Sequence, residues 1–249
     1  MIDIYTALQD PNLFLETYTA IPNTTQIVNS PSKTNCNYLQ TKQKISTINT
    51  IHNNTHTIIS NGRQVGITTL VSLYIIYYCL TNTKKTILIY NKNINAYHHI
   101  LLHTLNNLNF VHSYNFNYTS TTKSKIEVNS NKIIIANNVN DIKGYGISLA
   151  YLDDFAFCEN DVDIITNILP TISFTQGKII ISSTPSNHDS LFNKIYLQSN
   201  HFKKIQFPNN TNNFKNMMTN MLDIEEYEMM VDAKVFPLTP FQNNIKKKP

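Results

Sequence analysis

At 249 residues, 41% of them hydrophobic and 14% charged, the chain has material for one sizeable core, or for one core with a small appendage. A net charge of +4 spread along the chain permits contact with nucleic acid but does not require it, and the one local basic run, 246–248, reads as a solvated tail. Cys36, Cys79 and Cys158 have no metal-ligand spacing and form no even set, Asp3 and Asp10 stand where a secretory leader needs a basic and then an apolar run, and the longest apolar segment, 70–80, is too short for a bilayer, so a soluble intracellular protein is expected. Asn, Ile, Thr, Tyr and Lys are overused in the way A/T-rich codons produce. Asn-rich stretches therefore do not argue for disorder, nor N-x-[ST] triplets for glycosylation.

In chain order, the pattern predicts a helix over 11–19 within an N-terminal extension that reaches to 37 and caps the main fold. A core over 38–210 follows, with a strand over 55–60, a helix over 68–80, a strand over 86–90 and a helix over 95–108. After an Asn/Ser/Thr-rich connection, 125–128 and 132–136 flank Asn129-Ser130-Asn131 as a hairpin. Next come a buried strand over 149–152, a helix over 162–169 ended by Pro170, a strand over 178–183, a helix over 189–198 and a strand over 204–207. Apolar positions at helical spacing between Phe214 and Val235 suggest a helical lid within 211–249. Strands alternating with helices predict an α/β fold with a mostly parallel sheet flanked by helices.

The chemistry gathers at three strand ends. Residues 58–70, IISNGRQVGITTL, read as a strand, a tight turn and a helix start, and compare with the phosphate-binding pattern G-x-x-x-x-G-K-[ST]. Gly66 and Thr68 are in register, Asn61 with Gly62 takes the place of the first glycine, and Ile67 occupies the lysine position. Arg63, the only arginine in the chain, is the candidate for the missing positive charge, because a guanidinium is a permanently charged fork. Only five glycines are present, and two of them are in this loop. The alternative is an ordinary strand, turn and helix with a chance G-x-x-x-G.

The second strand end is 147–157, ISLAYLDDFAF. An apolar strand ending in paired carboxylates suits a nucleotide hydrolase, with Asp153 toward Mg²⁺ and Asp154 toward the attacking water. Asp154 is one methylene shorter than the usual glutamate, and Glu159 is a substitute if the following turn folds back. The alternative is a strand closed by a solvated Asp-Asp turn. The third end, 179–187, carries Ser182, Ser183 and Thr184 before Pro185, placing hydroxyls where an open parallel sheet binds ligands; taken by itself it reads first as an ordinary polar strand end. His99 and His103 have an i, i+4 spacing but no third ligand, so metal binding there is not expected. Met217, Met218, Met221, Met229 and Met230 read as flexible core packing beneath the lid.

Taken together and in order, NGRQVGITT, YLDDFAF and SSTP resemble the ATPase domain of the large terminase subunit, the DNA-packaging motor of tailed bacteriophages and herpesviruses. The resemblance covers roughly 38–196 and departs at Ile67 and Asp154. It implies a P-loop NTPase that binds ATP and Mg²⁺. Gln43 would read adenine, Gly62, Arg63, Gln64, Gly66, Thr68 and Thr69 would hold phosphates, and Thr68 with Asp153 would hold the metal. Asp154 would activate water, Lys143 before Gly144 would act as a phosphate or intersubunit finger, and Ser182, Ser183 and Thr184 would couple hydrolysis to movement. It further implies double-stranded DNA, a portal and a small terminase subunit as partners, a homo-oligomeric ring on the capsid and action in the host-cell cytoplasm. No acidic cluster follows Asp232, so a separate nuclease subunit is expected. Both departures also keep open a hydrolysis-deficient structural or regulatory subunit. A helicase-like ATPase would need a second core domain with further basic motifs, and none is legible.

Overall fold

The computed structural model describes residues 4–18, 41–112, 117–186, 190–219 and 221–237; Cys36 and the basic run 246–248 lie outside them. The chain begins with helices α1 (Ile4–Ala7), α2 (Pro11–Tyr18) and α3 (Lys42–Asn53). There follow β1 (His56–Asn61), α4 (Ile67–Thr81), β2 (Thr86–Tyr90), α5 (Ile94–His112), β3 (Tyr118–Thr122), β4 (Lys125–Val128) and β5 (Asn131–Ala136). The second half holds β6 (Leu149–Leu152), α6 (Asp161–Thr175), β7 (Lys178–Ser183), α7 (Leu191–Gln198), β8 (Lys203–Phe207), α8 (Asn212–Thr219) and α9 (Ile224–Met230).

The strands form one sheet in the order β3-β4-β5-β2-β6-β7-β1-β8. From β5 to β8 every pairing is parallel, and β3 and β4 extend the β5 edge as antiparallel strands. Central strands such as LAYL and the III of β7 are apolar throughout because helices cover both faces. Alternate residues sort accordingly: Ile59, Ile87, Ile89, Ile133 and Ile180 face the layer of α2 to α5, whereas Ile58, Leu88, Ile134, Ile179 and Ile181 face α6 and α7. Helix α4 is buried almost all round, so its first turn is held firmly against the carboxyl ends of the strands.

Helix α1 was not expected, and three further elements differ from the sequence expectation. Pro170 does not end its helix: α6 continues to Thr175, and Pro170 lies on its exposed face, where losing one backbone donor costs least. Helix α3 was not predicted, because its polar stretch KQKISTINTIHN carries a weak apolar stripe and tertiary contacts decide it. Thr41 caps its start by accepting from Lys44 N–H, and the Lys178 ammonium donates to the carbonyls of Ile51, His52 and Asn54 at its end. Strand β3 falls in what reads as a connection, since four of its five residues are solvent-exposed and supply no burial signal. Among the described residues, no helix is long and apolar enough to cross a membrane.

Candidate nucleotide site

The loop after β1 is shaped by its two glycines. Gly66 adopts φ +80° and begins α4, whose first helical hydrogen bond runs from Leu70 N–H to Gly66 C=O at 3.0 Å. The amides of Ile67, Thr68 and Thr69 precede that bond and form the positive end of the helix, the part of a fold best suited to phosphate. Gly62 is needed for a different reason: a Cβ there would lie 2.6 Å from Val231 O and 2.9 Å from Asn209 N. The segment after α9 runs beside the loop as a strap. Gly62 N–H donates to Phe207 O at 2.9 Å, Arg63 N–H to Met230 O at 2.7 Å, Ser60 Oγ to Ala233 O at 2.6 Å, and Asn209 Nδ2 to Arg63 O at 2.9 Å.

The Arg63 side chain is exposed, and its guanidinium lies 5.4 Å from the centroid of the Phe157 ring. Ile67, the first residue of α4, is 3% exposed and belongs to the core cluster. At the lysine position, therefore, only the backbone serves the cleft with polar groups.

Across from the loop, β6 delivers Asp153, 5% exposed. Its Oδ2 accepts from Thr68 Oγ1 at 2.8 Å and also from the Tyr97 hydroxyl on α5. Its Oδ1 accepts from Ser182 Oγ, which lies 2.9 Å from the Tyr151 hydroxyl. Burial raises the pKa of both tyrosines well above the ordinary phenol value, and the charge of Asp153 adds to it, so both remain neutral donors. Asp154 sits in the left-handed region at φ +53°. Its residue surface is exposed, yet the surrounding wall removes enough water from the carboxyl to raise its pKa. The neighbouring Asp153 raises it further, while Arg63 and a hydrogen bond from Asn91 lower it.

A cleft of about 550 Å³ separates these walls, within the ordinary size of a small-molecule site. It gathers Gly62, Arg63, Gln64, Gly66, Thr68, Asp153, Asp154 and Thr184 from the sequence expectation, with Phe214, Met218 and Met230 closing the lid side. Ser182 and Ser183 stand behind this wall, fully buried; Ser183 Oγ accepts from Ala156 N–H at 3.2 Å and so ties the third strand end to the turn after Asp154. Gln43 lies in the first turn of α3, Thr69 on α4 and Lys143 on the surface beside Asn140, and none of them lines the cleft. Glu159 is engaged by Lys92 at 3.4 Å and also stays outside.

Other expectations resolve in detail. Of the methionines read as core, Met229 is buried and Met218 and Met230 face the cleft, whereas Met217 and Met221 are exposed on the outer side of the lid. His99 and His103 stack with ring centroids 6.3 Å apart, and among the described residues no group of three His, Cys, Asp or Glu side chains could hold a metal.

Sequence reading missed Tyr97, Asn91, Phe157 and the strap. Tyr97 falls in a stretch recognisable only by helical periodicity. Asn91 is the residue just past β2, and residence at the carboxyl edge of the sheet was the signal that could have singled it out. For a divalent cation the donor set fits: a carboxylate and a hydroxyl at 2.8 Å, opposite a helix N-terminus, with no lysine or arginine ion-paired to that carboxylate among the described residues.

This arrangement, in a sheet with the loop strand β1 beside β7 and the acidic strand β6 beyond it, belongs to the class of P-loop nucleoside triphosphatases. The chain belongs to the terminase large-subunit family, for the model described as "Terminase large subunit, T4likevirus-type, N-terminal" matches residues 58–228. It thus carries the ATPase domain of a viral DNA-packaging motor subunit. Among solved structures it is similar to the large terminase ATPase domain of Thermus phage P74-26, at 13% identity and a TM-score of 0.67, over 84% of this chain and 100% of that one. It is also similar to the large terminase from a thermophilic bacteriophage in complex with ADP, at 12% identity and a TM-score of 0.61, over 78% of this chain and 52% of that one. A structure of the same thermophilic-phage protein with ATP-gamma-S has a TM-score of 0.57 at 13% identity, over 78% of this chain and 52% of that one. At these identities the likeness establishes fold alone. The chain spans about half the length of that full large terminase. No curated protein matches it.

Proposed function

We propose that the chain binds ATP with Mg²⁺ in this cleft, hydrolyses it, and uses the cycle to drive double-stranded DNA into a procapsid. The observation that carries the reading is the contact of Thr68 Oγ1 with Asp153 Oδ2 at the positive end of α4. Thr68 and Asp153 would hold a Mg²⁺ ion, which would supply positive charge to the phosphates. The amides of Gln64 to Thr69 cradle the phosphates. Arg63 leaves the Phe157 ring to neutralise them from above. Asp154 accepts the proton of the attacking water, its raised pKa making it a better base than an ordinary aspartate. Ser182, Ser183 and Thr184 join this wall to the strand end that moves with it.

Gln43 is the candidate adenine contact at the top of α3, and Lys143, exposed and outside its own cleft, is the candidate to serve a neighbour in a ring. A portal and a small terminase subunit complete the proposed assembly in the host-cell cytoplasm. The thermophilic-phage terminase complexes with ADP and ATP-gamma-S lend support to nucleotide binding by this fold.

The test is DNA-stimulated ATP hydrolysis by the purified chain with portal and small subunit present, alongside Arg63→Ala and Asp154→Asn. Each variant is expected to lose turnover by about 10²-fold or more, the worth of one transition-state contact. Burial of Ile67 where the family has lysine favours a second reading, a hydrolysis-deficient structural or regulatory subunit. Absence of turnover by the unmodified chain under these conditions would select it.

A further inference from the structure

The carboxylate of Asp153 is held from three directions: Thr68 on α4 and Tyr97 on α5 share Oδ2, and Ser182 on β7 takes Oδ1. These donors are not equivalent. Under the reading above, Thr68 presents its oxygen to the metal, so its bond to Asp153 cannot be the fixed point of the site. Ser182 is itself hydrogen-bonded to Tyr151 and belongs to the strand end that couples to movement. Tyr97, which also shares a hydrogen bond with the Tyr151 hydroxyl, lies on α5, apart from both the metal-facing turn of α4 and the coupling strand. It is 1% exposed, lies behind the carboxylate rather than in the cleft, and its ring meets that of Tyr151 edge-on, with centroids 6.1 Å apart and planes at 72°. A phenylalanine would fill the same space and keep the same ring contact. The hydroxyl adds a donor to the oxygen that also faces Thr68, together with a hydrogen bond shared with the Tyr151 hydroxyl.

We propose that Tyr97 is a positioning residue for the metal-binding carboxylate, its phenol holding Asp153 Oδ2 in the orientation that the Mg²⁺-nucleotide complex requires. The inference rests on the reading that Asp153 serves Mg²⁺. Partners of this kind, one bond removed from the ion, typically change metal affinity by about 10–100-fold when removed. A phenol serving only to satisfy a buried polar atom would change stability and leave metal affinity alone.

The experiment uses the full chain and a fluorescent ADP, titrated with and without Mg²⁺, together with the electron paramagnetic resonance spectrum of the Mn²⁺-ADP complex. Tyr97→Phe is compared with Tyr77→Phe, which removes another buried phenol, on α4, whose hydroxyl donates to Leu8 O at 3.1 Å, far from the carboxylate. The expected result is a roughly tenfold rise in the Mg²⁺ concentration needed for half-maximal tightening in Tyr97→Phe, in line with the range for such partners. An altered Mn²⁺ spectrum should accompany it, while metal-free ADP affinity remains that of the unmodified chain and Tyr77→Phe behaves as the unmodified chain throughout. Equal Mg²⁺ dependence in all three proteins overturns the inference and leaves the ATP reading standing. A Tyr97→Phe chain that fails to fold while Tyr77→Phe folds also overturns it, by showing that the phenol serves the core. If ADP binding by the unmodified chain ignores Mg²⁺, the reading of Asp153 as a metal site falls, and this inference falls with it.

Discussion

Thr68 Oγ1 lies 2.8 Å from Asp153 Oδ2, joining the first turn of α4 to the end of β6 across 85 residues of chain. Thr68→Ala removes one donor to a buried carboxylate and should lower stability by about 1.5–3 kcal/mol, the worth of a hydrogen bond to a charged group. The larger effect should be on function: Mg²⁺-dependent tightening of ADP should weaken at least tenfold while metal-free binding changes little. Calorimetric titration in the presence and absence of Mg²⁺ checks both.

The strap beside the loop is held through Gly62. A Cβ at that position would meet Val231 O at 2.6 Å and Met230 O at 3.1 Å, so the strap or the loop must move. Gly62→Ala should cost about 1–3 kcal/mol of stability, as overpacking does. It should also weaken ADP binding, because Arg63 N–H is anchored to the same strap. Thermal melts and nucleotide titration of one variant test the two effects together. A normal melting temperature would show that the strap yields freely.

Asp154 should trade stability for function. Its carboxylate is disfavoured in the folded chain, so its pKa lies above the unfolded value, and this penalty is fully present above the folded pKa. As pH falls, the folded chain takes up its proton first, and the penalty is gone below the ordinary aspartate range near pH 4. Asparagine carries no charge and accepts the left-handed backbone of this position. Asp154→Asn should therefore melt at or above the unmodified chain at neutral pH, with the gap closing on acidification, while hydrolysis is lost. Melting curves across pH, paired with a turnover assay, check the sign.

Arg63 rests on Phe157, 5.4 Å above the ring. If the guanidinium must leave that ring to meet phosphate, Phe157→Ala removes a resting contact worth about 0.5–1 kcal/mol at an exposed site. ATP binding should then tighten by about two- to fivefold. Weaker binding would show instead that the ring steers Arg63 into its working position.

Lys178 closes the end of α3 by donating to the carbonyls of Ile51, His52 and Asn54. Lys178→Met keeps the apolar stem and strands those carbonyls. The cost should be about 1–3 kcal/mol, read as a melting temperature lower by about 2–4 °C for each kcal/mol. Nucleotide affinity should stay unchanged, since Lys178 stands at the opposite end of its strand from the cleft.

The sequence alone determined what depends on local pattern. Alternating apolar strands and helices prescribed a parallel sheet, because period and turn chemistry are properties of neighbours in the chain. The loop at Gly62 to Thr68 and the acidic pair at Asp153 and Asp154 were legible for a similar reason: each is a short run whose residue types suit one chemistry. Tertiary structure decided everything that required two distant segments to meet. It buried Ile67 in the core, set Tyr97 behind Asp153, laid residues 230–233 along the loop, and kept Lys143 and Glu159 out of the cleft. It also carried α6 through Pro170 and folded α3 from a polar stretch, since exposure of one face and anchorage by Lys178 are decided only after the layers have packed. Periodicity says which face of an element is buried; the register between elements, which no local pattern encodes, says what each buried side chain touches.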